Sequence, residues 1–113
     1  MHSNVTTAVV FRKWKEGGDI IALLPEEVGT LDWRTCSLYE HTGQHGAADP
    51  WGVMRATKPA KPTEYASLRH ELERLIGYKL VVKQRITAKM TTTRRKEVAL
   101  LEASNKSLQG VSR

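Results

Sequence analysis

The chain has 113 residues, of which 40% are apolar, and a formal charge of +6 at pH 7. This composition excludes an intrinsically disordered chain and predicts one small hydrophobic core. The longest apolar run, residues 20–24, is far shorter than the roughly 20 residues of a membrane-spanning helix, and residues 1–4 lack the basic start of a secretory signal. We therefore expect a soluble, cytoplasmic protein.

The charge is unevenly distributed along the chain. Residues 1–50 contain four basic and seven acidic residues, a net charge of −3. Residues 51–113 contain 14 basic and five acidic residues, a net charge of +9. A basic half of this kind favours a polyanionic partner, above all nucleic acid.

The first half of the chain has strand patterns. Residues 5–12 alternate between two faces and are rich in β-branched side chains, which predicts a strand. Gly17 and Gly18 suit a tight reversal, and residues 20–24 predict a second strand that is apolar on both faces and ends at Pro25. We expect these strands to form a hairpin, with the second strand central in the sheet.

A third strand is predicted over residues 33–41, with Cys36 on its core face. Cys36 is the one cysteine of the sequence, so an intrachain disulfide is excluded, and its apolar setting favours a buried thiol over a nucleophile. The glycines and the Asp-Pro pair that follow predict an irregular loop. A short fourth strand is then expected at residues 53–56.

The second half predicts a helix, a strand and a basic tail. Apolar residues with helical spacing predict an amphipathic helix over residues 63–76, ended by Gly77. Residues 78–87 predict a last strand with one apolar and one basic face, and a second helix is expected over about residues 93–107. The predicted fold class is α+β: a small antiparallel sheet of three to five strands with one amphipathic helix packed on one face. Residues 1–88 form this single compact domain, and residues 89–113 form a basic C-terminal extension.

One stretch holds the densest group of polar functional side chains, and we predict that it binds a ligand through Tyr39, His41, Gln44, His45 and Asp49. Glycine amides in such a loop can approach an anion or a small polar ligand closely. A polar network that merely fixes the loop is an alternative. A second alternative is a metal site of His41, His45 and Asp49, which a helix would align on one face. The glycines of this stretch disfavour that helix, so we expect no metal and no other cofactor.

No pattern in the sequence identifies a catalytic centre. Paired carboxylates, a nucleophile at a recognisable spacing from a base, and a phosphate-binding glycine motif are all missing. Acid–base chemistry by His41 and His45 stays open, because histidine titrates near neutral pH. We expect a binding protein, with a metal- or histidine-dependent enzyme as an alternative.

Seven cations follow the predicted helix without an acidic residue between them, and we predict that they bind anions: Lys79, Lys83, Arg85, Lys89, Arg94, Arg95 and Lys96. Phosphate contacts need cations at about this density. Tyr39, Trp14, Trp33 and Trp51 offer stacking surfaces for single-stranded bases. The alternative is an edge strand kept soluble by lysines.

A set of short segments stands out within about residues 9–88: residues 11–14, 19–23, Tyr39 with 41–46 and Asp49, residues 64–65, Leu68, residues 71–72 and residues 77–80. These segments resemble a family of short uncharacterised proteins encoded by bacteriophages and other bacterial mobile elements. The family has no assigned activity, so no functional residue is carried over. The resemblance implies a small accessory protein of a phage or prophage, for which nucleic-acid handling and interference with host defence are common roles.

Together these observations predict a non-enzymatic accessory protein that binds nucleic acid or another phosphate-bearing ligand in the host cytoplasm. A host-factor inhibitor, or a protein that sequesters a nucleotide signal, is the alternative function. The expected partners are nucleic acid or a nucleotide-like ligand, with a host protein as a further candidate and no membrane. A homodimer is also expected, because the second strand and the weak apolar stripe of the tail need cover.

Overall fold

A mixed β-sheet with helices on both faces forms the protein. The computed structural model describes residues 6–41 and 44–111, and for residues 44–45 and 105–111 it describes the backbone alone. The strands are β1 Thr7–Trp14, β2 Ile20–Val28, β3 Cys36–Glu40, β4 Gln44–Ala48, β5 Thr57–Pro59 and β6 Leu80–Val82. The helices are α1 Pro50–Ala56, α2 Pro62–Glu71, which continues into a π-helical turn at Leu72–Ile76, and α3 Ala88–Val111.

The strands β4, β3, β2 and β1 lie side by side in that order, and each pairs antiparallel with the next. Gly17 and Gly18 have φ of 91° and 80°, which the β1–β2 turn requires and which glycine adopts without strain. The other edge of β1 is shared: β5 pairs antiparallel with residues 12–14, and β6 pairs parallel with residues 7–9. The α+β class is therefore confirmed, but the sheet is mixed and not purely antiparallel. Helix α2 separates β5 from β6, and the chain returns beside β1 running in the same direction.

One face of the sheet is covered by α2. Buried apolar residues of β1 and β2 pack against Tyr65, Leu68 and Leu72 of the helix and its π-helical turn. The rings of Phe11 and Tyr65 stack with centroids 4.1 Å apart and planes 9° from parallel. Gly77 has φ of 93° and ends this helical segment, as its sequence position predicts.

The opposite face is covered by α1 and by the first half of α3. Val10, Ile21, Leu23 and Cys36 of the sheet pack with Val53 of α1. Helix α3 buries Met90, Arg94 and Val98, which recur at every fourth position and so share one helix face. Strand β2 thus has helices over both of its faces, which explains why residues 20–24 are apolar throughout.

The structure corrects the predictions for residues 44–56. Residues 44–48 form strand β4 rather than an irregular loop, because the hydrogen-bond ladder to β3 supplies order that their own propensity does not. Residues 53–56 lie in α1 rather than in a strand. The Asp49-Pro50 pair explains this: Asp49 is the N-cap, its carboxylate accepts a hydrogen bond from the Trp51 N–H at 3.2 Å, and Pro50 fits the first helical turn.

Two predicted elements in the second half have different bounds. The last strand is limited to Leu80–Val82, because only residues 80–82 pair with β1. Helix α3 begins at Ala88, five residues before the predicted start, and is longer than expected. The Thr87 carbonyl accepts hydrogen bonds from the N–H groups of Met90 and Thr91, which places the beginning of the helix there.

Arg94 attaches α3 to the sheet. Its residue surface is 2% exposed, and its guanidinium donates hydrogen bonds to the carbonyl oxygens of Pro25 and Trp33, the latter at 3.0 Å from Nε. Pro25 lies in β2, and Trp33 lies in the loop before β3. One buried cation therefore joins the helix to two separate segments of the chain.

We expect Arg94→Met to lower the free energy of unfolding by at least about 2 kcal/mol, because two main-chain carbonyls lose a charged donor in a buried site. Urea denaturation followed by circular dichroism measures this loss. Lys96→Met is the control, since Lys96 is exposed on the same helix and its loss should change stability by less than about 0.5 kcal/mol. Equal effects of the two substitutions would contradict an anchoring role for Arg94.

Candidate functional site

The predicted ligand-binding loop is a β-hairpin formed by β3 and β4. At the end of β3, the Tyr39 hydroxyl donates a hydrogen bond to Oε1 of Glu71, and Nδ1 of His41 lies 3.1 Å from Oε2 of the same carboxylate. Glu71 is the last residue of α2. One carboxylate therefore joins the hairpin to the helix that covers this face of the sheet.

The exposure of Tyr39, His41 and Glu71 indicates which of them a ligand could reach. Tyr39 is 1% exposed, so its ring belongs to the core and not to a ligand surface. The Glu71 side chain is 18% exposed and the His41 side chain 46%. A carboxylate at Nδ1 fixes the orientation of the His41 ring. Tyr39 and His41 thus share a polar network with Glu71, a residue outside the predicted loop, and ligand binding by the loop stays a prediction.

Asp49 lies apart from this cluster. His41 precedes β4 and Asp49 follows it, and five strand residues span about 17 Å. Asp49 caps α1 through its side chain and through its carbonyl oxygen, which accepts from the Val53 N–H at 3.0 Å. The side chains of Gln44 and His45 lie outside the described residues.

The helical alignment behind the metal alternative is not present, because residues 44–48 form a strand. Within the part of the chain that the structure describes, no group of three His, Cys, Asp or Glu side chains could hold a metal ion.

Glu71 was missed by the sequence analysis. It lies 30 residues after His41, as a polar residue directly before Leu72 at the margin of the apolar stripe of α2. It is among the residues that carry the resemblance to phage-encoded proteins, but that resemblance assigns it no role. Such a position is ordinary for a solvated glutamate. The pairing with Tyr39 and His41 follows only from the way in which α2 crosses the sheet.

We expect Glu71→Gln to lower the free energy of unfolding by about 1–2 kcal/mol, because two hydrogen bonds lose their charged acceptor. Chemical denaturation at pH 7 measures the change. Glu73→Gln is a matched control: Glu73 forms an exposed i,i+4 ion pair with Arg69 at 3.2 Å, which contributes at most about 0.5 kcal/mol. If Glu71→Gln is no more destabilising than this control, Glu71 does not hold the hairpin.

Six of the seven predicted cations are exposed, near the sheet edge that contains β6 and along α3. They are here called the cationic surface: Lys79, Lys83, Arg85, Lys89, Arg95 and Lys96. A cleft of about 470 Å³, here called the cationic cleft, lies where the chain passes from β6 to α3. It is lined by Glu26, Lys83, Gln84, Arg85, Thr87, Lys89 and Met90. Three cations thus face one carboxylate.

The beginning of α3 adds positive potential to this cleft. Both Thr87 and Lys89, which flank the start of the helix, line it, and the first turn contains no acidic residue. The N-terminal end of a helix carries a partial positive charge, and nearby cations are unfavourable there by about 0.3–1 kcal/mol each. An anion in the cleft would relieve this repulsion.

The remaining members of the predicted anion-binding set are placed differently. Lys79, Arg95 and Lys96 are exposed, and the Arg95 guanidinium lies 4.7 Å from the centroid of the Trp33 ring. Arg94 is directed into the protein, where main-chain carbonyl oxygens accept hydrogen bonds from its guanidinium. Arg94 therefore supports the cationic surface without belonging to it.

Most of the aromatic residues considered for base stacking pack against other residues of the protein. Tyr39 is in the core, and Trp14 packs against the buried cluster on the α1 side. Guanidinium groups of Arg34 and Arg95 lie over Trp33, at 5.2 and 4.7 Å from its centroid. Trp51, on α1, is 47% exposed. These positions do not form one continuous stacking surface.

An acidic region adjoins the cationic cleft. A second cleft, of about 340 Å³, is lined by Thr6, Thr7, Glu26, Glu27, Val28, Thr93 and Glu97. Glu27 accepts hydrogen bonds from the Tyr78 hydroxyl at 2.9 Å to each oxygen. Burial, and then this carboxylate, raise the pKa of Tyr78. Because Glu26 lines both clefts, it marks the boundary of the cationic surface on this side.

Cys36 is buried in the core beneath α1, as the sequence analysis expects. Burial raises the pKa of its thiol to about 12 from an ordinary value of 9.0. At pH 8 this shift lowers the thiolate fraction about 1,000-fold, and the thiolate is the reactive form. The folded thiol is therefore unsuited to act as a nucleophile.

We expect iodoacetamide at pH 8 to alkylate Cys36 on the order of 1,000-fold more slowly in the folded protein than in urea, as measured by mass spectrometry. The same shift predicts that stability falls as the pH rises above 9, since the unfolded thiol ionises there while the folded thiol keeps its proton up to about pH 12. Equal alkylation rates in the two states would contradict burial of the thiol.

Comparisons of the chain with protein-family models, curated proteins and solved structures find no match. The resemblance to short phage-encoded proteins thus stays a prediction. None of the helices in the described residues combines the length and the apolar composition needed to cross a bilayer.

Proposed function

We propose that this protein is a non-enzymatic accessory protein that binds nucleic acid through its cationic surface. The observation that carries the proposal is the cationic cleft, where Lys83, Arg85 and Lys89 converge at the beginning of α3. None of these three side chains forms an ion pair with another residue in the described part of the chain. Their charge is thus available to phosphate groups.

The arrangement along α3 supports a polymer as the ligand. Lys89 and Lys96 are seven residues apart, so both lie on the solvent side of the helix, about 10 Å from each other. This line of charge continues away from the cleft, and a single phosphate group could not contact all of it. A nucleic-acid backbone, which repeats its phosphates at short intervals, suits a surface of this length.

Lys83, Arg85 and Lys89 each release a counterion from the nucleic acid when they contact a phosphate. The logarithm of the association constant should therefore fall with the logarithm of the salt concentration. Removing one contact should reduce this slope by about 0.7 for a single strand and about 0.9 for a duplex. Fluorescence anisotropy with labelled oligonucleotides at several salt concentrations measures both slopes.

We expect Arg85→Ala to weaken oligonucleotide binding about 3- to 10-fold at low salt, to a similar extent for unrelated base sequences, because phosphate contacts do not read bases. Arg74→Ala is the matched control. Arg74 is an exposed arginine in the π-helical turn after α2, on the sheet face opposite to α3. An equal loss in the control would mean that binding follows net charge and not the cleft. An affinity that is the same at low and high salt would contradict nucleic-acid binding altogether.

The volume of the cationic cleft supports a second candidate, sequestration of a nucleotide. Pockets for small ligands commonly enclose about 300–1,000 Å³, and this cleft has about 470 Å³. In that case a free nucleotide should raise the melting temperature of the wild-type protein, and Arg85→Ala should abolish the rise. Oligonucleotides without an accessible mononucleotide end would then bind weakly.

A further inference from the structure

The two edges of the sheet differ in how well they are protected from pairing with another strand. At one edge, β5 and β6 have three residues each. Lys58 and Pro59 lie in β5, and Lys79 and Lys83 flank β6. Short strands, proline and lysine are the devices by which proteins prevent edge strands from adding further strands.

Strand β4 forms the opposite edge, and none of these devices lies within the strand itself, although Asp49 and Pro50 follow it directly. It has five residues, and its described pairing is with β3 alone. Between Gln44 and Ala48 the sequence contains neither a proline nor a residue with a formal charge at neutral pH. Gly46 and Ala47 are exposed. The outer main-chain N–H and C=O groups of β4 can therefore form a further ladder of hydrogen bonds.

A large apolar side chain follows this edge in the sequence. Trp51, three residues after the end of β4, is 47% exposed.

We propose that β4 pairs antiparallel with β4 of a second copy of this chain, which joins the two sheets into one. A two-fold axis makes the interface self-complementary, and pairing over the whole strand places Gly46 opposite Gly46 of the second copy.

Electrostatics favour this edge as the contact between two copies of a basic protein. Strand β4 itself has no formal charge, so the pairing places no like charges opposite each other. The cationic residues flanking β6 lie at the other edge of the sheet. Pairing through β4 therefore keeps the cationic surfaces of the two copies apart.

Sedimentation velocity of the full-length protein over a range of concentrations tests the proposal with Gly46→Lys and Gly46→Glu. A Cβ at Gly46 would meet no atom within 4 Å, so the folded monomer accommodates either side chain. Wild-type protein should form a dimer. Each variant alone should dimerise at least tenfold more weakly, because like charges meet at the axis. An equimolar mixture of the two variants should recover the dimer, because opposite charges then meet.

Ala66→Lys is the control for added charge, since Ala66 is exposed on α2, and its dimer should be as stable as that of the wild type. A wild-type protein that remains monomeric throughout overturns the proposal, including the case in which β4 accepts a peptide of another protein. The proposal is also overturned if the dimer is unaffected by Gly46→Lys but is lost on Leu101→Ser. Leu101 is an exposed apolar residue of α3, so this result would place the contact on that helix. Arg85→Ala should leave the dimer intact, so the result is independent of nucleic-acid binding.

Discussion

The cationic surface of this protein depends on one buried cation that does not belong to it. The Arg94 guanidinium is enclosed between α3 and the sheet, where the carbonyl oxygens of Pro25 and Trp33 accept its hydrogen bonds. A buried charge is tolerated only when such acceptors surround it, so these hydrogen bonds favour the position of α3 in which the Arg94 guanidinium reaches both carbonyl oxygens. That position places Lys89 in the cationic cleft and Arg95 over the Trp33 ring. The positions of the exposed cations Lys89 and Arg95 therefore depend on the buried Arg94.

The elements that could be predicted from the sequence are those with a strong hydrophobic pattern of their own, because their structure depends little on contacts with the rest of the fold. Strands β1 and β2 alternate or are apolar throughout, and residues 63–76 have a clear helical stripe ended by Gly77. Residues 53–56 lack such a pattern, and there the Asp49-Pro50 helix start decides the structure. The parallel pairing of β6 with β1 has no local signal, because it depends on where α2 returns the chain.

The candidate site is predictable to a smaller extent, since neighbours in sequence are not neighbours in space. Residues 39–49 appeared to be one cluster, but a strand carries Asp49 away from His41 and gives it the separate role of a helix cap. Glu71, from a distant helix, is the residue that joins Tyr39 to His41. The basic run was easier to recognise because exposed charge needs no specific partner. Even there, burial of Arg94 could not be inferred from a sequence in which the flanking Arg95 and Lys96 are equally basic.

If the cationic surface binds a polyanion, as proposed, the position of Glu26 limits the path that this polyanion can take. This residue lines the cationic cleft and also the neighbouring cleft that contains Glu27 and Glu97. Negative charge on that side repels phosphate groups, so a polyanion held by Lys83 and Arg85 would be directed away from it. The remaining favourable direction follows the solvent side of α3, where Lys89 and Lys96 recur after two helical turns. Because α3 is held on the sheet by Arg94, this path has a fixed orientation relative to the fold, and the end of the sheet formed by β4 lies outside it.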